Sequence, residues 1–377
     1  MGLIHSFLNL VSPPITFVSL GFLLPPYVVF KYFLYLVRGI FSEDVAGKVV
    51  LITGASSGIG EHLAYQYAQR GARLALVDRR ERPLHEVADI ARYYGSPDII
   101  TIPADVSNLQ DCRRIIDETI NHFGRRNSIN PRFNVHHCYW IHHNFTSILC
   151  LTAVDHLVNN AGVANMTLFE EIEDITSLNQ IMDTNYWGSV YTTQFAIPYL
   201  RNNRGKIVVL SSTAAWLPAP RMNIYNASSC RLSLMFETLR VELAPDIGIT
   251  IVTPGFVESE LTKGKALYSH GTIEVHQDVR DALIGAIPVE TVEACAKAIV
   301  RSVCRGDRYL TEPSWYNSVY YMKVFCPEVL EWFYRIFVYT RPGTSVAEAL
   351  NKKMLDATGA KNVMYPPSIH SVEIEDD

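Results

Sequence analysis

Three glycines, Gly54, Gly58 and Gly60, punctuate the stretch VVLITGASSGIG at residues 49–60. Small residues at this spacing let a backbone approach a pyrophosphate closely, and the N–H groups of a helix start favour its negative charge. Ser56, Ser57 and Ile59 fill the turn between the glycines and share that candidate role. About twenty residues further on stand Asp78, Arg79 and Arg80. An acid there accepts from the adenosine ribose hydroxyls of NAD, whereas an arginine pairs with the extra phosphate of NADP. Both residue types are present, so the cofactor reads as NADP or NAD. Asp105-Val106 follows a third apolar run, where an acid can meet the adenine amino group. A glycine turn alone also fits an ordinary strand-to-helix connection, and the flanking elements must carry the rest of the argument.

Those elements alternate. Val49–Thr53 is an apolar β-branched run, and Gly60–Arg70 places Leu63, Ala64, Tyr67 and Ala68 at helical spacing before Gly71 ends it. Ala72–Val77 reads as a second strand, Ile99–Pro103 as a third, and Asp111–Phe123 as an amphipathic helix. A β-α-β-α-β-α order implies an α/β fold, a Rossmann-type doubly wound parallel sheet.

The composition narrows the partners. A formal charge of −5 without a long basic run argues against nucleic acid. Seven cysteines without ligand-like spacing suggest reduced thiols, and no metal site is expected. From Ser6 to Phe30 there is no charged residue, so the N-terminus is expected to be a hydrophobic anchor over residues 1–42 rather than a cleaved signal. Pro13-Pro14 and Pro25-Pro26 are expected to break it into pieces. The piece between them would span about 15 Å as a helix, half of a ~30 Å hydrocarbon core, which suggests a hairpin or oblique insertion as readily as a straight span. Lys31 and Arg38 mark the cytosolic end.

Further along, Asn159-Asn160-Ala161-Gly162 follows an apolar strand, Asn185 lies in TNYWGSVY, and Ser212 ends KIVVLSS. Tyr225 comes 13 residues after Ser212, and Pro254-Gly255 follows GITIVT. This ordered set resembles the short-chain dehydrogenase/reductases. Within them the chain is similar to the steroleosins, hydroxysteroid dehydrogenases of plant oil bodies, over nearly its whole length. DCRR at 111–114, TPGFVESELT at 253–262 and RYLTEPSW at 308–315 share in that likeness. The resemblance implies NAD(P)-linked interconversion of a hydroxyl and a ketone on a sterol-like substrate. It implies a lipid-droplet or endoplasmic-reticulum surface, a catalytic domain facing the cytosol, and a homodimer formed through the helices carrying Asn185 and Tyr225. Tyr225 would be the general acid/base, Ser212 would hold the substrate oxygen, and Asn185 would hold a relay water and the local helix geometry. Asn159, Ala161 and Gly162 would line the adenosine side, while Pro254, Gly255 and Val257 would bracket the nicotinamide.

Two departures bear on activity. The family places a lysine four residues after the tyrosine, and Ser229 stands there instead. Serine supplies no cation to lower a phenol that ordinarily titrates near pH ~10, so turnover is expected to fall about a hundredfold or more. Arg231, two residues further on, should face elsewhere on the helix. The second departure is an insertion, residues 126–154, without helical or alternating period, whose five His and Cys at 136–143 match no zinc spacing. It reads as translated intron or a gene-model error. The dehydrogenase domain is thus expected over 43–312, with 258–281 as a lid, a helix at 292–303 and an edge strand at 308–311. An aromatic extension and an acidic tail, disordered after Pro366, would occupy 313–377. Two other readings stay open: a cofactor-binding pseudoenzyme, and a structural oil-body protein.

Overall fold

The computed structural model describes residues 2–127 and 154–370. Its core is a sheet of seven strands, all parallel, in the order β3-β2-β1-β4-β5-β6-β9. In chain order these are β1 (Val49–Thr53), β2 (Arg73–Asp78), β3 (Ile99–Pro103), β4 (His156–Asn159), β5 (Lys206–Leu210), β6 (Gly248–Pro254) and β9 (Tyr309–Glu312). Every residue of β1 is buried, as expected for a central strand covered on both faces. Its register places Leu51 beside Ala75 on one side and Leu157 on the other.

Helices close both faces. One face carries α2 (Gly58–Ala68), α3 (Glu81–Tyr93) and, later in the chain, α9 (Val292–Arg305), around Leu63, Leu84 and Ile299. The other carries α4 (Leu109–Asn127), α6 (Ser189–Asn203) and α7 (Asn223–Glu242), around Ile115, Leu200 and Phe236. Burying each such side chain contributes about 1.5–3 kcal/mol. A short α5 (Asn179–Met182) leads through a wide π turn at Asp183–Gly188 into α6. Strand order reverses between β1 and β4, so a crevice opens at their carboxyl ends, where ligands bind in such sheets.

After β6 the chain folds over that crevice. A small hairpin, β7 (Lys265–Leu267) with β8 (Ile273–Val275), precedes α8 (Gln277–Ile284). Beyond β9 come α10 (Tyr316–Phe325), α11 (Pro327–Phe333) and α12 (Leu350–Thr358). Their inner residues Tyr316, Leu330 and Leu355 are buried, while Tyr321, Phe325 and Trp332 are exposed. The aromatic extension is therefore both wall and surface.

Two expectations are corrected. The proline pairs do not break the N-terminal segment: α1 runs without interruption from Gly2 to Ile40. Proline lacks one N–H and strains the preceding turn, but the bonds on either side of each pair carry the helix through. At 1.5 Å per residue this rod is about 58 Å long. The chain after Pro366 is not disordered at its start, because Ile369 is fully buried and its carbonyl accepts from Arg280 Nη1 at 2.8 Å. Residues 371–377, and nearly all of the insertion at 126–154, lie outside the described residues.

The end of α1 is fixed to the amino edge of the sheet. Arg38 Nη1 donates to Gly306 O at 3.4 Å, and Arg305 lies 4.8 Å from the Tyr35 ring. Glu43 then enters a polar cluster with Lys48, Lys206 and His156, and His156 meets the Tyr67 hydroxyl at 3.1 Å. Hydrogen bonds from His156, Lys206 and Lys48 hold the Glu43 carboxyl far below its usual range despite its burial, and burial pushes the His156 imidazole below its own.

Candidate active site

The crevice widens into a cavity of about 610 Å³ that joins the glycine turn to the aromatic wall. At one end lie Gly54, Ser57, Gly58 and Ile59, with Asp78, Arg79, Asp105 and Val106 beside them. Gly54 has φ +66°, and a side chain there would meet the Ala161 backbone at 2.7 Å. Gly60 lies behind the turn, where an added Cβ would sit 2.0 Å from Gly54 O. No side chain caps α2 at Ser57, so the helix start presents its N–H groups to the cavity. This cradle fits a pyrophosphate.

The charged residues after β2 divide the work. One oxygen of Asp78 accepts from Ser56 N at 3.3 Å and the other from Arg80 N at 3.1 Å. Arg79 is exposed at the rim. Arg80 instead turns inward, donating to Ser57 Oγ at 2.6 Å and Ser56 Oγ at 2.9 Å. Ser56 is therefore buried and reaches the cavity through Arg80 rather than lining it. Asp105 is exposed and accepts from the Ser107 N–H and hydroxyl at 2.9 and 2.8 Å.

One expected residue moves. Asn159 does not line the cavity: its Oδ1 accepts from Thr192 Oγ1 at 2.8 Å and its Nδ2 donates to Thr193 Oγ1 at 2.9 Å, both on α6. Asn160, one residue beyond the strand, takes that place and donates to Thr53 O at 3.1 Å and Gly54 O at 2.9 Å. Ala161, Gly162, Pro254, Gly255 and Val257 all line the cavity.

Ser212, Tyr225 and Asn185 come together at the centre. Ser212 continues from β5 in extended conformation, and its Oγ accepts from Ala214 N at 3.1 Å. Tyr225 sits in the first turn of α7, with part of its ring open to the cavity. Burial raises its phenol above the ordinary value, while hydrogen bonds from Ser212 and Ser229 pull it down less strongly. Ser229 is itself buried, one turn along α7. Arg231 stacks over Tyr186 at 4.6 Å and is not among the cavity residues. Asn185 lies in the π turn, a geometry that often marks functional sites. Its Oδ1 accepts from Val163 N at 2.8 Å, and its Nδ2 donates to Val163 O at 2.9 Å and Ser228 Oγ at 3.1 Å. Both amide hydrogens are thus engaged in tying α7 to the loop after β4.

Asn165 has no spacing signal in the sequence, yet it positions the tyrosine. Fully buried, it accepts from Tyr225 N at 3.1 Å and donates to Arg221 O at 3.0 Å. The far end of the cavity is apolar, walled by Leu217, Met222, Ile287, Tyr316, Leu330 and Phe333.

The sequence profile described as short chain dehydrogenase matches residues 48–129 and 146–267. This chain belongs to that family. The profile passes over 130–145, inside the insertion. Among curated relatives, "11-beta-hydroxysteroid dehydrogenase A" of Arachis hypogaea is 54% identical over 377 residues, covering all of both chains. The protein of the same name from Sesamum indicum is 52% identical with the same coverage. Among solved structures, a short chain dehydrogenase from Burkholderia cenocepacia in complex with NADP aligns with TM-score 0.58 at 20% identity, covering 78% of this chain and 99% of its own. Another, from Burkholderia phymatum in complex with NAD, aligns with TM-score 0.57 at 21% identity, over 75% and 95%. At these identities the structural likeness establishes the dehydrogenase fold.

Proposed function

We propose that this chain is an NAD(P)-dependent oxidoreductase that interconverts a hydroxyl and a ketone on a sterol-like substrate at a lipid surface. The observation that carries the reading is the meeting of the Tyr225 and Ser212 hydroxyls between a phosphate-fitting cradle and an apolar chamber. Such a chamber suits a rigid hydrocarbon bearing few polar groups. The names of the full-length relatives support a hydroxysteroid as its class.

The bound dinucleotide would supply or take the hydride. Gly54, Ser57, Gly58 and the α2 N-terminus would hold its phosphates, with Asp78, Arg80 and Asp105 on the adenosine side and Val257 and the Pro254-Gly255 turn at the nicotinamide. Ser212 orients the carbinol or carbonyl oxygen. Tyr225 gives it a proton during reduction and takes one during oxidation. Asn165 and Asn185 hold α7 so that the phenol points at that oxygen. Ketone reduction uses the neutral phenol, which the raised Tyr225 pKa preserves; alcohol oxidation needs the phenolate, which it depletes.

The largely exposed apolar α1 supports a membrane or oil-body anchor, with Lys31, Arg38 and the attached domain on the cytosolic side. Full-length protein in detergent, given an apolar ketosteroid and NADPH, should oxidise NADPH in step with alcohol formation. Ser229 favours a second reading, a pseudoenzyme that binds nucleotide without turnover. Nucleotide-induced thermal stabilisation with no alcohol product would select it.

A further inference from the structure

The cofactor end of the cavity holds a row of alternating charges that proton transfer does not use. Lys265 Nζ on β7 lies 3.7 Å from Glu260 Oε2. Glu260 Oε1 accepts from Arg80 Nη1 at 2.8 Å, and Arg80 Nε lies 3.7 Å from Asp78 Oδ1. The same guanidinium donates to the Ser56 and Ser57 hydroxyls of the glycine turn. The Arg80 and Glu260 side chains are only 13% and 27% exposed, so water screens the pair less than it screens a rim ion pair. The backbone at Glu260 is held by its carbonyl, which accepts from Lys263 N at 3.1 Å and Lys265 N at 3.0 Å, so that only the side chain need move.

A carboxylate on a guanidinium occupies the seat a phosphate would take, since both anions use the same N–H groups. We propose that Glu260 is an internal anion that holds Arg80 and so sets the choice between NADP and NAD. The inference rests on the dinucleotide reading above. A 2′-phosphate must displace Glu260 to reach Arg80, whereas a ribose with free hydroxyls leaves the pair intact and turns to Asp78. Displacement also reaches the substrate chamber. Glu260 leads directly into Leu261, Thr262 and β7, all of which line the cavity. The lid then differs between the two cofactors, with Glu260 left to Lys265 when the phosphate is bound.

The test is titration of full-length protein in detergent with NADPH and with NADH, read by the fluorescence of the bound nucleotide. Glu260→Gln should bind NADPH about tenfold tighter, equivalent to about 1.4 kcal/mol, and leave NADH within about twofold. In an Arg80→Met background the same change should do nothing to either nucleotide. Glu260→Ala should act in the same direction, which guards against a local effect of glutamine. An unchanged ratio of NADPH to NADH affinity, or an equal shift in both, overturns the proposal. If the unmodified chain binds neither nucleotide, the dinucleotide reading itself fails, and that outcome is distinct from a failure of Glu260 alone.

Discussion

Ser229→Lys should raise alcohol oxidation at neutral pH by tenfold to a thousandfold. Tyr225 must be a phenolate to take the carbinol proton, and burial raises its pKa while only two neutral hydroxyls oppose that shift. Below its pKa the phenolate fraction falls tenfold with each pH unit. The wild-type oxidation rate should therefore climb about tenfold per unit from pH 7 upward, with no plateau before about pH 10. Position 229 is one turn along α7, and its hydroxyl already reaches the phenol. A lysine there brings a cation within ~4–6 Å, which lowers a neighbouring acid by about 1–3 units. The plateau should move down by the same interval, and the neutral-pH rate should rise by the corresponding factor. The assay is the pH profile of kcat in both directions, with NADPH affinity measured alongside to confirm that the cradle is unchanged. A Ser229→Lys enzyme whose oxidation profile overlays that of the wild type would mean that Tyr225 is not the titrating base.

Other outcomes follow from the same geometry. Gly60→Ala forces a methyl group onto Gly54 O; at roughly 3 kcal/mol it should lower Tm by roughly 6–12 °C and abolish nucleotide-induced stabilisation. Asn165→Ala leaves the Tyr225 N–H without its acceptor, at about 1–3 kcal/mol; kcat should drop while NADPH binding is retained. Acid should loosen the domain in two stages. His156 is held neutral in the folded state, so stability falls as pH drops below about 6.5, where the unfolded imidazole takes a proton first. Glu43, with its folded pKa depressed, adds a further loss as pH falls below about 4.5. Thermal melts from pH 8 to about 2 check this, since the Glu43 loss develops below its unfolded pKa, and His156→Gln should flatten the upper stage.

Much of the nucleotide half is legible in the chain because its signals are local. A β-branched run, a glycine turn and a helical period each lie within a dozen residues, and Ile99–Pro103 forms the expected strand. Ser212 and Tyr225 are legible because a strand end and the next helix start fix both to one crevice. What escaped depends on direction or distance. Asn159 and Asn160 are neighbours, but successive side chains at a strand end point to opposite faces, so one bonds α6 and the other lines the cavity. Arg80 rather than Arg79 turns inward because Ser56, Ser57 and Glu260 converge on it, and Glu260 arrives from 180 positions away. The Glu43–His156 cluster joins residues from the linker and β4 that no periodicity connects. Asn165 reaches Tyr225 across 60 positions, with nothing at either site to announce the bond. The proline pairs misled because their local cost was set against an isolated turn, whereas a helix of 39 residues carries bonds on either side of each break.

Removing the Tyr225 hydroxyl alone separates proton transfer from dinucleotide binding. Full-length wild type and Tyr225→Phe should be incubated with NADPH and an apolar ketosteroid, with alcohol formation followed alongside NADPH binding. Wild type should form alcohol, the phenylalanine variant at least about a hundredfold less, and both should bind NADPH with the same affinity. Equal product from the two proteins, or NADPH binding by wild type with no product under any pH, would contradict proton transfer by Tyr225.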